Sequence, residues 1–204
     1  TDQGTREYQQ DAAKAVTDGR SAFAVLCDGM GGLKHGEMAS TQVVQHFLRD
    51  MEEAWPVQNI PGFLEEEARR MDRLVSSFTD ESHHKLNAGT TIVSAVICEG
   101  GLYWMSVGDS RMYLLRDKHL MRLTKDHNYK TMLQENLKAG KVDMDFYNSE
   151  ISRGEALTSY LGVGNVSLVD KNETVFQLKT DDILLLCSDG LYKTLSEEQI
   201  EAVV

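Results

Sequence analysis

The chain is poor in positive charge, in cysteine and in long apolar runs, and each shortage closes off a class of function. Lys and Arg number 21 against 32 Asp and Glu, a formal net charge of −11 at pH 7. A nucleic-acid-binding surface needs a basic footprint, so that class is set aside. The three cysteines, Cys27, Cys98 and Cys187, are odd in number, far apart, and each lies in or at the end of an apolar run. They read as buried small hydrophobes in a reducing compartment rather than as disulfide partners or zinc ligands. No apolar stretch approaches the length of a membrane span. No charged-then-apolar leader stands before Thr1, and the chain reads as soluble and cytoplasmic. Repeats and linkers are missing too, and 204 residues suit one domain with one substantial core.

What the chain does have is an apolar run that delivers a carboxylate onto a glycine-dense bend. Residues 22–27 are apolar and lead to Asp28, followed by Gly29, Gly31 and Gly32. An apolar run bounded by turn signals reads as a buried strand, so Asp28 stands where that strand leaves the core. The glycines leave the backbone free to approach an ion or a phosphate. Taken alone, the segment fits an ordinary tight turn equally well. The device recurs: residues 182–188 lead to Asp189-Gly190, and residues 101–107 lead to Gly108-Asp109. Three strand-terminal aspartates converging on one end of a sheet offer oxygen ligands, which suit Mg²⁺ or Mn²⁺ better than zinc. Singly, Asp189 reads as a turn residue and Asp109 as a partner for Arg111.

Along the rest of the chain, Asp18-Gly19 between residues 12–16 and 21–27 signals a hairpin, which brings Asp11 toward Asp28. Residues 36–55 carry apolar positions near helical spacing, ended by Pro56 and the Pro61-Gly62 pair, and residues 63–78 form a second amphipathic helix. His83 and His84 fall in a polar loop. Residues 90–98, 102–107, 112–116 and 119–123 alternate with brief turns, the pattern of an antiparallel meander. Thr124 to His127 opens a helix reaching about Ala139, and residues 141–154 read as a polar, irregular, mobile surface segment. Strands resume at 166–169, 174–178 and 183–187, and Ser196-Glu197-Glu198-Gln199 is a capping box opening a last helix. Strands with helices grouped in blocks imply an α+β fold, with helices packed outside a pair of antiparallel sheets.

Taken together, these motifs carry a resemblance. Asp28-Gly29-Met30-Gly31-Gly32 with Gly36 to Ser40, Gly89-Thr90-Thr91, Val107 to Arg111, Leu123 to His127, Ala156-Leu157-Thr158 with Leu161-Gly162, and Cys187 to Leu191 follow the order of one family. The chain resembles the metal-dependent serine/threonine protein phosphatases of the 2C type in their bacterial form, over nearly its whole length. The resemblance implies a central β-sandwich flanked by helices in four layers, and hydrolysis of phosphoserine and phosphothreonine on proteins by a water that two Mn²⁺ or Mg²⁺ ions activate. It implies that Asp28 bridges both ions, Gly29 offers its carbonyl, Asp189 holds the second ion, Asp109 contributes to a third, Arg6 grips the phosphate, and Asp11 supports the site. Residues 141–154 correspond to the family's flap, and the substrates would be phosphoproteins made by a Ser/Thr kinase.

Three departures from the family pattern stand out. Leu33 occupies the place where bacterial relatives usually carry His, whose role would pass to a metal-bound water or to His35 two residues on. Gln9 replaces a usual Asn. The chain also stops at Val204, before the family's final strand pair and its Asp-Asn motif, so a single domain over residues 1–204 is expected to be incomplete at its C-terminus. The competing expectation is a catalytically weakened, phosphatase-like regulatory or phosphoprotein-binding domain.

Overall fold

The computed structural model of the protein describes residues 9–30 and 35–204. Strand β1 (Asp11–Thr17) turns back into β2 (Ser21–Asp28) through the expected hairpin. Asp18 locks the turn by accepting from the backbone N–H groups of Arg20 (2.8 Å) and Ser21 (2.7 Å). Helix α1 (Gly36–Ala54) and helix α2 (Ile60–Ser76) follow. Helix α2 starts earlier than the Pro61-Gly62 pair suggests. Pro61 lies in its first turn, where the missing N–H is harmless, and Asn59 caps it by accepting from Gly62 N–H at 3.2 Å.

Strands β3 (Ile92–Cys98) and β4 (Gly101–Val107) continue the first sheet, which also takes in the two-residue strands β7 (Asp170–Lys171) and β8 (Phe176–Gln177). The expected meander breaks after β4. Strand β5 (Arg111–Arg116) leaves for a second, three-stranded sheet between β6 (His119–Arg122) and β9 (Ile183–Cys187). The chain crosses between sheets at Gly108, whose φ of +107° and lack of space beside Thr91 Cγ2, 2.6 Å from where a Cβ would stand, both demand glycine. Residues 166–169 are not a strand, because pairing begins only at Asp170.

The central strand β3 shows how the layers form. Its Ile92 and Val96 pack against α1 and α2, while Val93 and Ala95 face the second sheet, so both parities are buried. On the helical side, Val43, Phe47 and Met51 of α1 and Leu64, Ala68 and Met71 of α2 recur every three or four residues and are almost wholly buried. Each such large side chain contributes about 1.5–3 kcal/mol on removal from water. Between the sheets, Leu102 and Met112 pack with Leu184 and Leu186.

Helix α3 (Tyr129–Lys138) begins only after Asn128, which caps it by accepting from Thr131 N–H at 2.9 Å. Residues 124–127 are therefore a loop, buried at Thr124, Asp126 and His127, rather than a helical turn. Residues 141–154 are not irregular: they hold helix α4 (Met144–Glu150), capped by Asp143, and a 3₁₀ turn at Ile151–Arg153. Met144 and Phe146 of α4 stay largely exposed, so local capping rather than burial sets this helix. The short α5 (Asp189–Tyr192) follows β9 directly. Helix α6 (Glu197–Val203) opens with the expected capping box and packs over β6, where Glu201 accepts from Leu120 N–H at 2.6 Å. The result is an α+β sandwich of two antiparallel sheets. Among the described residues no helix is long and apolar enough to cross a membrane.

Candidate metal centre

Sheet register brings the acidic residues to one rim. In the first sheet Asp11 lies directly opposite Asp28. Alternation along β2 buries Phe23, Val25 and Cys27 against the helices, so Asp28 shares the other face with Ala24 and Leu26, toward the second sheet. In that second sheet Arg111 pairs with Cys187, which sets Asp109 and Asp189, each two residues beyond the paired positions, at the same end. The sheets meet there: Ser188 Oγ donates to Asp11 Oδ2 at 2.8 Å across 177 positions of chain.

The backbone beneath Asp28 is held by hydroxyls. Thr91 N–H (2.9 Å) and Thr90 Oγ1 (2.9 Å) both donate to Asp28 O, and Asp28 N–H donates to Thr91 Oγ1 at 3.0 Å. Thr91 Oγ1 in turn shares a 2.7 Å hydrogen bond with Ser110 Oγ, beside Asp109. Gly29 is wedged between strands and helix. Its N–H donates to Gln10 O at 3.0 Å, and a Cβ would stand 2.3 Å from Gly36 O at the head of α1.

Among the described residues no cationic side chain pairs with Asp11 or Asp28, and Lys193 reaches the rim only at Asp189. Burial first, then the facing Asp11 and the nearby Asp189 and Asp109, push the Asp28 carboxyl up to about 8. Burial and Asp189 also raise Asp109, which is 6% exposed. Among the described residues Asp11 Oδ1 is buried with no hydrogen-bond partner. A buried, unpartnered carboxylate oxygen next to a carboxyl that resists ionisation is what a divalent cation relieves, and an oxygen-only donor set suits Mg²⁺ or Mn²⁺. The residues therefore fit such an ion. Among the described residues, however, no three His, Cys, Asp or Glu side chains are gathered as a finished ligand shell. Asp189 instead pairs with Lys193 Nζ at 2.9 Å, and Lys193 also reaches Glu155 at 3.1 Å.

Of the residues singled out from sequence, Asp11, Asp28, Gly29, Asp109 and Asp189 reach this rim, while Arg6 and Leu33 lie outside the described residues. Asp189 is not strand-terminal, since it opens α5 one residue past Ser188. Arg111 does not pair with Asp109. It holds Asp126 with two bonds, 3.0 and 2.7 Å, and lies 3.5 Å over the Tyr192 ring, while Tyr192 Oη donates to Asp109 O at 3.0 Å. His35 precedes α1 and makes no side-chain cap. Ser188, Thr91 and Ser110 stand inside the motifs quoted above and Lys193 stands outside them, but only the pairing of distant strands reveals what they touch.

Known proteins resemble the chain throughout. A family model described as protein phosphatase 2C matches residues 3–203. The chain is 29% identical over 213 residues to the serine/threonine phosphatase stp of Listeria welshimeri, covering 100% of this chain and 81% of that relative. The crystal structure of the serine/threonine phosphatase Stp1 from Staphylococcus aureus superposes with a TM-score of 0.77 at 26% identity, covering 96% of this chain and 76% of that one. The catalytic domain of the serine/threonine protein phosphatase PstP, crystallised with two manganese ions, gives 0.73 at 27% identity over 97% of this chain and 78% of that one.

Proposed function

The chain belongs to the protein phosphatase 2C family, and from that premise we propose that its metal-dependent dephosphorylation of phosphoserine and phosphothreonine on proteins is carried by the rim of Asp28, Asp11, Asp189 and Asp109. The observation that carries this assignment is the Asp11–Asp28 pairing, with an Asp11 Oδ1 that has no hydrogen-bond partner among the described residues and a desolvated Asp28 carboxyl. Asp28 and the carbonyl of Gly29 would hold two Mn²⁺ or Mg²⁺ ions with Asp189, and Asp109 would serve a third. Bound there, divalent ions lower the pKa of water and stabilise charge on a transferring phosphoryl group.

The chain's own residues do the rest. Ser188 orients Asp11 through its 2.8 Å bond, and Thr90 and Thr91 fix the Asp28 backbone, so the acidic groups are held in place before any ligand arrives. Arg6 supplies a planar fork matched to phosphate oxygens. A cysteine phosphoenzyme is disfavoured, because burial lifts the Cys187 thiol to about 12 and the Cys27 thiol well above its ordinary value. The substrates are proposed to be products of a Ser/Thr kinase in the cytoplasm, with residues 141–154 as the flap beside them. The test is hydrolysis of a phosphothreonine peptide with Mn²⁺ and in EDTA. Turnover only with Mn²⁺, lost in Asp28→Asn with the fold retained, supports the assignment; equal turnover by that variant refutes it.

A further inference from the structure

A polar cleft adjoins the acidic rim. A cleft of about 380 Å³ runs from α5 to the start of α3, walled by Arg111, Arg122, Lys130 and Lys193 against Asp126 and Glu155. On a chain with a formal charge of −11 this lining has a cationic excess. Another cleft, around His127, carries Lys125 against Asp126, Glu135 and Asp170, so the excess belongs to this one rather than to clefts in general. It is continuous with the rim, because Lys193 both lines it and pairs with Asp189, and Tyr192 both lines it and bonds Asp109.

The four cations are not equally committed. Arg111 is spent on Asp126 and Tyr113, and Lys193 on Asp189 and Glu155. Arg122 makes one 3.3 Å contact with an Asp126 that Arg111 already holds twice, and its side chain stays 36% exposed. Lys130 is anchored through its backbone, N–H to Gly154 O at 2.9 Å, and its side chain enters no ion pair among the described residues. Two under-used cations lining one polar cleft make a receptor for an anion.

Resting on the phosphatase reading above, we propose that this cleft seats a second anionic side chain of the substrate protein, a carboxylate or a further phosphoryl group near the phosphorylated residue, between Arg122 and Lys130. Specificity for acidic or multiply phosphorylated sites then arises outside the hydrolytic rim, by charge complementarity.

Three phosphothreonine peptides test this, differing only in neighbouring residues: alanines, glutamates, or one phosphoserine. For the Mn²⁺-loaded protein, kcat/KM is expected to favour the anionic peptides over the alanine peptide by about tenfold, mainly through KM. The comparison of glutamate with phosphoserine tells which anion is preferred. In Lys130→Glu and in Lys130→Ala the ratio should fall toward one, and in Arg122→Ala it should fall in part. A wild-type ratio near one, or a ratio that Lys130→Glu leaves unchanged, overturns the subsite. If no peptide is hydrolysed, the functional assignment is what fails, and fluorescence anisotropy of the labelled peptides reads the subsite alone. Tighter binding of the anionic peptides, lost in Lys130→Glu, supports it; equal binding of all three overturns it.

Discussion

Replacing Glu67 by glutamine should make the protein more stable at alkaline pH and change little in acid. Glu67 on α2 is 2% exposed and lies beside Asp50 of α1, itself 4% exposed, and among the described residues one oxygen of each carboxyl lacks a hydrogen-bond partner. Arg70 reaches both at 3.5 Å from a half-exposed position, and Arg49 binds Asp50 at 2.9 Å. Burial first and Asp50 second push the Glu67 carboxyl from 4.5 up to about 7. A carboxyl raised in the folded state stabilises that state below its unfolded pKa, and this stability is lost as pH rises through about 7. The shift corresponds to about 3 kcal/mol between roughly pH 4 and pH 8.5, or about 6–12 °C in Tm for a chain of this size. The glutamine amide keeps the shape of the carboxyl and never ionises. Urea unfolding of both proteins in EDTA across that range isolates the effect, because other titrating groups cancel in the difference. The variant's advantage should grow with pH to about 3 kcal/mol. A difference that stays flat would refute the buried carboxyl pair as the cause.

Two further substitutions probe the rim and its support. Ser188→Ala removes the donor to Asp11 and should weaken Mn²⁺ binding by about 10–100-fold in calorimetry, with Ser188→Thr restoring it. Asp72, 1% exposed on α2, accepts from the N–H groups of Gly162 (2.7 Å), Gly164 (3.0 Å) and Val166 (3.0 Å), tying down the loop after Leu161, which itself pairs with Thr90. Asp72→Asn sets an amide NH₂ against backbone donors and should cost about 3 kcal/mol, seen as a Tm lower by about 6–12 °C.

Much of the fold could be read from local pattern. Apolar runs ending at Asp28, Val107 and Cys187 are strands, the Asp18-Gly19 turn is a hairpin, and Ser196 with Gln199 closes a capping box. Each depends on neighbours within a few residues. What escaped depends on partners far away or on competing local terms. Membership of β5 in the second sheet is decided at Gly108, where Thr91, 17 positions earlier, excludes a side chain. Pro61 looks like a helix breaker until Asn59 is seen to cap one residue ahead of Ile60. Residues 141–154 are largely polar and their Met144 and Phe146 stay exposed, so no core burial marks the helix that Asp143 caps. At the rim Asp11 and Asp28 are legible as strand ends, whereas Asp109 lies in the turn past β4 and Asp189 opens α5, and the facing of Asp11 and Asp28 and the reach of Ser188 follow from register and sheet packing.

Calorimetric titration of Mn²⁺ into the wild-type protein and into Asp28→Asn, paired with melting of both in EDTA, tests the centre most directly. The account predicts that the wild type takes up two ions, the number held by the PstP relative, and that the variant loses this binding. Above about pH 8 the metal-free variant should also melt higher than the wild type, because it cannot place a desolvated charge against Asp11, Asp189 and Asp109, whereas well below that pH the Asp28 carboxyl is already neutral and the two should melt alike. Undiminished Mn²⁺ binding by Asp28→Asn would contradict it.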